Sequence, residues 1–199
     1  MATVIVPYRG SDPKRRLETV SPRDRMRIAH AMLGDVIDAA TVVGIVFVVA
    51  VDPPESAPAA GAVLVPDPRR GQGAAVRAGL DAAMAAASPA PYLVVNADLP
   101  CVTPRDLLAL AGAVPDGGLA LAAAVDGTTN ALALSDEALF EPCYGPGSAA
   151  RFAALGPSRR VGAPNLVDDV DTPGDLARLA ARLGPRSRSV LETLSAEAA

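Results

Sequence analysis

Apolar and polar positions along this chain fall into blocks that read alternately as strands and helices. Thr3-Val4-Ile5-Val6, stopped by Pro7, reads as a first strand; residues 42–51, closed by Asp52-Pro53-Pro54, as a second; and Ala62-Val63-Leu64-Val65, after a turn over 58–61, as a third. Tyr92-Leu93-Val94-Val95 predicts a fourth strand, residues 119–125 a fifth, and Ala131-Leu132-Ala133-Leu134 a sixth. Short apolar runs bounded by turn residues are the pattern of strands buried on both faces. Between them the period changes: Met26, Ala29, Leu33 and Val36 lie on one helical stripe. Three helix starts share one signature, Ser21-Pro22-Arg23-Asp24, Thr103-Pro104-Arg105-Asp106 and Thr172-Pro173-Gly174-Asp175. Each offers an N-cap hydroxyl, a proline at the first helical position and a carboxylate to return a hydrogen bond. The last helix is expected over 173–183, and the arginine- and serine-bearing tail from Gly184 is expected to fray or pack loosely. Strand-loop-helix alternation predicts an α/β fold, a three-layer αβα sandwich, as one domain over 1–184 followed by a tail over 185–199.

This pattern places chemistry at the strand ends. The fourth strand delivers Asp98 into the crevice where an open α/β sheet binds its ligand. A second acidic cluster, Asp168-Asp169-Val170-Asp171, runs into a helix start late in the chain. Two such clusters can share one hard cation. The loop after the first strand, with Pro7, Arg9, Gly10, Lys14 and Arg15, can wrap triphosphate oxygens, although a basic loop is also ordinary solvated surface. It matches neither the dinucleotide nor the Walker glycine pattern. Gln72 between Gly71 and Gly73, opening an alanine-rich helix, suits a base or a phosphate, and equally an ordinary tight connection. The polar loop 126–130 could be only a hairpin. Gly145-Pro146-Gly147-Ser148 opens another helix, whose first N–H groups can form an anion nest.

Composition narrows the class. The 199 residues are 50% hydrophobic, with a net charge of −4, a pI near 5.0, three Phe, three Tyr and no Trp, a balance that argues against a nucleic-acid binder. No apolar run approaches the roughly 20 residues of a membrane span. With the first strand starting at Thr3 there is no signal-peptide pattern, so a cytoplasmic protein is expected. Cys101 and Cys143 read as packing residues, and the single histidine, His30, excludes a site needing two imidazoles. Lys14 is the one lysine among 18 basic residues. Aspartates without histidine or thiolate favour Mg²⁺, or Mn²⁺, over zinc, and phosphoryl or nucleotidyl transfer is the natural chemistry.

Six motifs in order, Val6-Pro7-Tyr8-Arg9, Lys14-Arg15-Arg16-Leu17, Asn96-Ala97-Asp98-Leu99-Pro100, Thr128-Thr129-Asn130-Ala131-Leu132, residues 140–150 around Tyr144-Gly145-Pro146-Gly147-Ser148, and Asp169-Val170-Asp171-Thr172-Pro173, resemble the CofC/FbiD guanylyltransferases of deazaflavin coenzyme F-420 biosynthesis. The resemblance implies a Rossmann-like nucleotidyltransferase fold with a mixed, mostly parallel sheet. It implies Mg²⁺ on Asp98, Asp169 and Asp171, and a small phosphorylated carboxylic acid on Thr129, Gly145 and Ser148. GTP would lie against Pro7, Arg9, Gly10, Lys14, Gln72 and Gly73, with Lys14 and Asp98 as catalytic residues. Phosphoenolpyruvate, 2-phospho-L-lactate and phosphoglycerate are the candidate acids, and a homo-oligomer stays open. The chain departs from the family's usual residues at Arg9 (lysine), Arg15 (serine or threonine) and Gly73 (asparagine). Two alternatives remain: a molybdopterin or sugar-phosphate nucleotidyltransferase of the same fold, or a catalytically silent nucleotide-binding module.

Overall fold

The computed structural model describes residues 1–10, 20–52, 57 and 61–197, so Lys14 and Arg15 lie outside the described residues. In chain order the elements are β1 (Ala2–Tyr8), α1 (Pro22–Val43), β2 (Gly44–Ala50), β3 (Val63–Pro66), α2 (Gln72–Ala85), β4 (Tyr92–Val95), α3 (Pro104–Gly112), β5 (Leu119–Ala123) and β6 (Thr129–Leu134). There follow α4 (Ser148–Ala153), β7 (Ser158–Arg160), α5 (Pro164–Val167), α6 (Pro173–Leu179) and α7 (Pro185–Glu197). The strands form one seven-stranded sheet in the order β3-β2-β1-β4-β6-β5-β7. Only β6 is antiparallel to its neighbours β4 and β5; the other pairings are parallel.

Strand periodicity sorts the side chains into two cores, one on each face of the sheet. In β5 and β6 the division is by size: Ala120, Ala122, Ala131 and Ala133 face one core, while Leu119, Leu121, Leu132 and Leu134 face the other. The alanine face is covered by α1, α3, α6 and α7, and the leucine face by α2 and α4. Helix α2 lies close on the sheet because Gly79 has no side chain; a Cβ there would sit 2.5 Å from Ile5 Cγ2 and 2.9 Å from Val49 Cγ2. That close approach fixes where the N-terminus of α2 points. All three helix caps form as the sequence predicts. Ser21 accepts from the Asp24 N–H, while Thr103 with Asp106 and Thr172 with Asp175 close reciprocal capping boxes. No helix among the described residues is long and apolar enough to cross a membrane.

Four expectations need correction. Residues 42 and 43 belong to α1, which runs without a loop into β2 at Gly44. The helix expected over 173–183 ends at Leu179 and gives way to a turn. The strand β7 and the short α5 carry no apolar period and were not expected. Last, the tail does not fray: α7 packs Val190, Leu191 and Leu194 against the α1 side of the core. The buried carboxylate of Asp35, on α1, accepts the first-turn N–H groups of Arg186 and Ser187, both at 2.9 Å. Arg186 also pairs with Asp38, and Arg27 with Glu197.

Candidate active site

The C-terminal ends of β1 and β4 are neighbours, with α1 on one face of the sheet and α2 on the other, which opens the crevice typical of a doubly wound sheet. Asp98 enters it two residues beyond the Asn96 turn, and its backbone carbonyl accepts the Val170 N–H at 3.1 Å. This one bond ties the two acidic segments together. Asp168 is then turned outward: Arg178, at 2.8 Å, and Arg182 hold it, and the Arg182 guanidinium above all keeps its carboxyl below the ordinary range. Asp171 is fixed by the next helix start, since the Asp175 carboxylate accepts from the N–H groups of both Asp171 (3.2 Å) and Thr172 (2.9 Å). As a result Asp98, Asp169 and Asp171 bring carboxylate oxygens within 4.8 Å of one another. At that spacing two unit negative charges repel by about 3 kcal/mol at an effective dielectric of about 20. Three half-buried hard oxygen donors, without imidazole or thiolate among them, fit a Mg²⁺ or Mn²⁺ ion that leaves coordination positions for substrate oxygens.

On one flank, Gln72 is the first residue of α2, behind Gly71 at φ +91°. Its amide Nε2 donates to Asn96 Oδ1 at 2.8 Å; Asn96 Nδ2 donates in turn to the Thr129 carbonyl at 3.3 Å, and the Asn96 N–H to the Asn130 carbonyl at 3.0 Å. A cleft of about 590 Å³ opens beside this helix start, walled by Arg70, Gln72, Arg77, Phe140, Pro142 and Tyr144. Gly73 meets Pro142 there: a Cβ at 73 would lie 2.5 Å from Pro142 Cβ, so the proline occupies the space an asparagine side chain would need. Pro7 and Arg9 stand at the end of β1 and just beyond it, and Gly10 is buried where an added Cβ would lie 2.9 Å from the Asp52 carbonyl oxygen.

On the other flank, the hydroxyls of Thr129 and Ser148 lie 3.0 Å apart and are buried together, at 3% and 0% exposure. Two hydroxyls sharing one bond keep one hydrogen to donate elsewhere. The anion nest expected from the first helical amides is not formed by them. The Ser148 N–H closes a turn on the Gly145 carbonyl (3.0 Å), and the Ala149 N–H reaches the Gly127 carbonyl (3.2 Å). The turn itself is held by Arg151, which donates to the carbonyls of Cys143 (2.8 and 3.2 Å), Tyr144 (3.3 Å) and Pro146 (2.6 Å), with Gly145 and Gly147 at positive φ. Behind it, Tyr144 packs edge-on against Phe152 at 5.1 Å, and Arg77 sits 5.1 Å above the Phe140 ring while bonding the Phe140 carbonyl.

The structure therefore brings Asp98, Asp169 and Asp171 together, joins Thr129 to Ser148 beside Gly145, and links Gln72 to the Thr129 strand. Sequence reasoning places Asn96 within a motif but gives it no role, and it misses Arg151 and Arg77, whose bonds go to backbone carbonyls that no motif spacing marks.

Comparison with known proteins bears on the family and the fold. A family model described as "Guanylyl transferase CofC like" matches residues 2–163. A phosphoenolpyruvate guanylyltransferase of Sphaerobacter thermophilus is 36% identical over 194 residues, covering 90% of this chain and 93% of that protein. A 2-phospho-L-lactate guanylyltransferase of Natrialba magadii is 32% identical over 200 residues, covering 88% and 82%. Among solved structures, one from Desulfovibrio desulfuricans named for nucleotide-diphospho-sugar transfer aligns with a TM-score of 0.70 at 14% identity, covering 98% and 95%. A nucleotidyl transferase of Methanothermobacter aligns at 0.63 and 18% identity, covering 97% and 99%. The two structures share the fold, a mixed and mostly parallel sheet between helices, and the sequence matches go further: this chain belongs to the CofC-like guanylyl transferase family.

Proposed function

We propose that this chain transfers GMP from GTP to a phosphorylated three-carbon acid, phosphoenolpyruvate first among them and 2-phospho-L-lactate next, in the assembly of coenzyme F-420. The observation that carries the reading is the convergence of Asp98 with Asp169 and Asp171 at the mouth of the sheet, in a chain whose curated relatives bear these activities by name. An oxygen of the acceptor phosphate attacks the α-phosphorus of GTP; the new P–O bond forms as the bond from the α-phosphorus to the bridging oxygen breaks, and pyrophosphate leaves with that electron pair. Because a phosphate dianion is already a nucleophile, no general base is required. Both reactants are anions, so the work of the chain is to align them and offset their repulsion.

Mg²⁺ or Mn²⁺ on Asp98, Asp169 and Asp171 would supply charge neutralisation at the phosphates. Arg9 and Lys14 would face the triphosphate, with Gly10 giving the loop close access, and Gln72 and Gly73 would border the nucleotide. The hydroxyl hydrogen left over by the Thr129–Ser148 pair, together with the backbone at Gly145, would hold the acid. Incubation with GTP, Mg²⁺ and each of phosphoenolpyruvate, 2-phospho-L-lactate and phosphoglycerate, followed by pyrophosphate release, tests this directly. Release should require one of the acids and should vanish in Asp98→Asn; no release with any acid sinks the proposal.

A further inference from the structure

The bonds between α2 and β6 have a polarity that can be read from one fixed end. A backbone carbonyl only accepts, so the Thr129 oxygen determines which end of the Asn96 amide faces β6: the Nδ2 end, at 3.3 Å. The Asn96 oxygen is thereby turned toward Gln72, and since an oxygen there also only accepts, Gln72 must answer with Nε2, at 2.8 Å. Reversing Gln72 alone would set two oxygens against each other. Reversing both amides would set Asn96 Oδ1 against the Thr129 carbonyl. The backbone of β6 thus dictates, through two side chains, that the acceptor atom Gln72 retains is Oε1. Gln72 walls the 590 Å³ cleft; Asn96 stands behind it and is not among the lining residues.

We infer that Asn96 is a positioning residue for nucleotide choice: it locks the Gln72 amide with its carbonyl oxygen available to the cleft, so that the site selects a purine whose N1 carries a hydrogen. Guanine offers N1–H and the 2-amino group at its Watson–Crick edge, hypoxanthine N1–H, and adenine an unprotonated N1 beside its 6-amino group. The inference rests on the reading of the chain as a GTP-dependent transferase and adds to it the atom that reads the base and the residue that fixes that atom. A free glutamine would turn its amide to suit either kind of edge. A locked one has its Nε2 committed to Asn96, so it can take adenine's 6-amino group but has no donor for adenine N1, whereas guanine can bring both N1–H and the 2-amino group to Oε1.

The test is the ratio of kcat/KM for GTP, ITP and ATP, measured by pyrophosphate release with phosphoenolpyruvate in wild type, Asn96→Ala, Asn96→Asp and Gln72→Ala, with thermal stability followed in each. Wild type should rank GTP above ITP above ATP. In Asn96→Ala the GTP:ATP ratio should fall by about three- to tenfold or more, mainly through KM for GTP. Asn96→Asp separates positioning from mere structure: its carboxylate still accepts from Gln72 Nε2 but can no longer donate to Thr129, so it should lose stability yet keep the wild-type ratio. In a Gln72→Ala background, Asn96→Ala should change the ratio no further. GTP turnover with an unaltered ratio in both Asn96→Ala and Gln72→Ala overturns the inference and leaves the proposed activity standing, as does a ratio lost equally in Asn96→Ala and Asn96→Asp. A protein that releases pyrophosphate from none of the three nucleotides loses the activity, and this inference with it. Should Asn96→Ala fail to fold, Gln72→Ala and Asn96→Asp still decide the matter.

Discussion

Arg151 is the residue on which the Gly145-Pro146-Gly147 turn depends, and replacing it should damage one substrate's site and spare the other's. Its guanidinium makes four bonds to three carbonyls, at 2.6, 2.8, 3.2 and 3.3 Å. Because C=O and N–H of a trans peptide point in opposite directions, gathering the carbonyls of Cys143, Tyr144 and Pro146 on Arg151 sends the N–H groups of Tyr144, Gly145 and Gly147 to the far side of the turn. Those amides, and not the helical ones of Ser148 and Ala149, are the donors the turn can present to an anion. Bonds from a charged donor are worth about 1.5–3 kcal/mol when buried and less when exposed, as here, so the two shorter ones together support the turn by about 2 kcal/mol. Arg151→Met keeps most of the side-chain volume and removes all four. The local opening of residues 143–148 should then become on the order of thirtyfold more frequent, read by hydrogen exchange of their amides. KM for the acid should rise about tenfold or more while KM for GTP moves less than twofold, and Arg151→Lys, which can still reach one or two carbonyls, should fall between. Equal losses for both substrates, or a loss of global stability with no change in exchange confined to the turn, would refute the argument.

Three further outcomes follow from contacts elsewhere. Asp35→Ala leaves two N–H groups of α7 without their carboxylate at the edge of the core, and should cost about 3 kcal/mol in denaturant unfolding; a cost below about 1 kcal/mol would mean that apolar packing alone docks the helix. The Asp175 carboxyl is pushed up by burial, but bonds from the Thr172 hydroxyl and N–H, Arg178 and the Asp171 N–H outweigh this and hold it at about 2, against an ordinary 3.8. Its contribution, about 2 kcal/mol at most, is full above that ordinary value and lost as pH falls through about 2, so the stability gap between wild type and Asp175→Asn should close across that window and stay constant from about pH 5 upward. Ser148→Ala and Thr129→Ala each break the buried hydroxyl pair, and each should weaken the acid's apparent affinity about tenfold or more with little effect on GTP. If they weaken both substrates alike, the pair is only a brace between β6 and α4.

What was legible in the sequence is what local chemistry writes. The caps at Ser21, Thr103 and Thr172 are spelled within four residues, and all three form. The apolar runs 119–125 and 131–134 read as strands buried on both faces, and they form β5 and β6, with leucines on one face of the sheet and alanines on the other. The three-residue β7 is polar and fully exposed at a sheet edge, where charged side chains discourage further pairing, so no apolar period could announce it. The tail was misread for a different reason. Arg186, Ser187 and Arg188 look like a solvated start, and the carboxylate that caps the first two, Asp35, comes about 150 residues earlier in the chain.

The candidate site divides along the same line. Asp98 and the pair Asp169 and Asp171 could be found because a carboxylate at the end of a buried strand has few structural reasons to be there, and the same holds for an acidic run ahead of a cap. Their convergence is expected from the two acidic clusters and from the family resemblance; how it is made is not legible, since it involves the Val170 N–H on the Asp98 carbonyl and Arg178 and Arg182 drawing Asp168 away. Gly73 shows the reverse case. Taken by itself it is a lost side chain at a nucleotide site; beside Pro142 it is the only residue that leaves room for the wall of the cleft. The amide at this helix start is that of Gln72, one position earlier, and Asn96 and the β6 backbone set its polarity, so on the proposed reading Gln72 reads the base where the chain departs at 73.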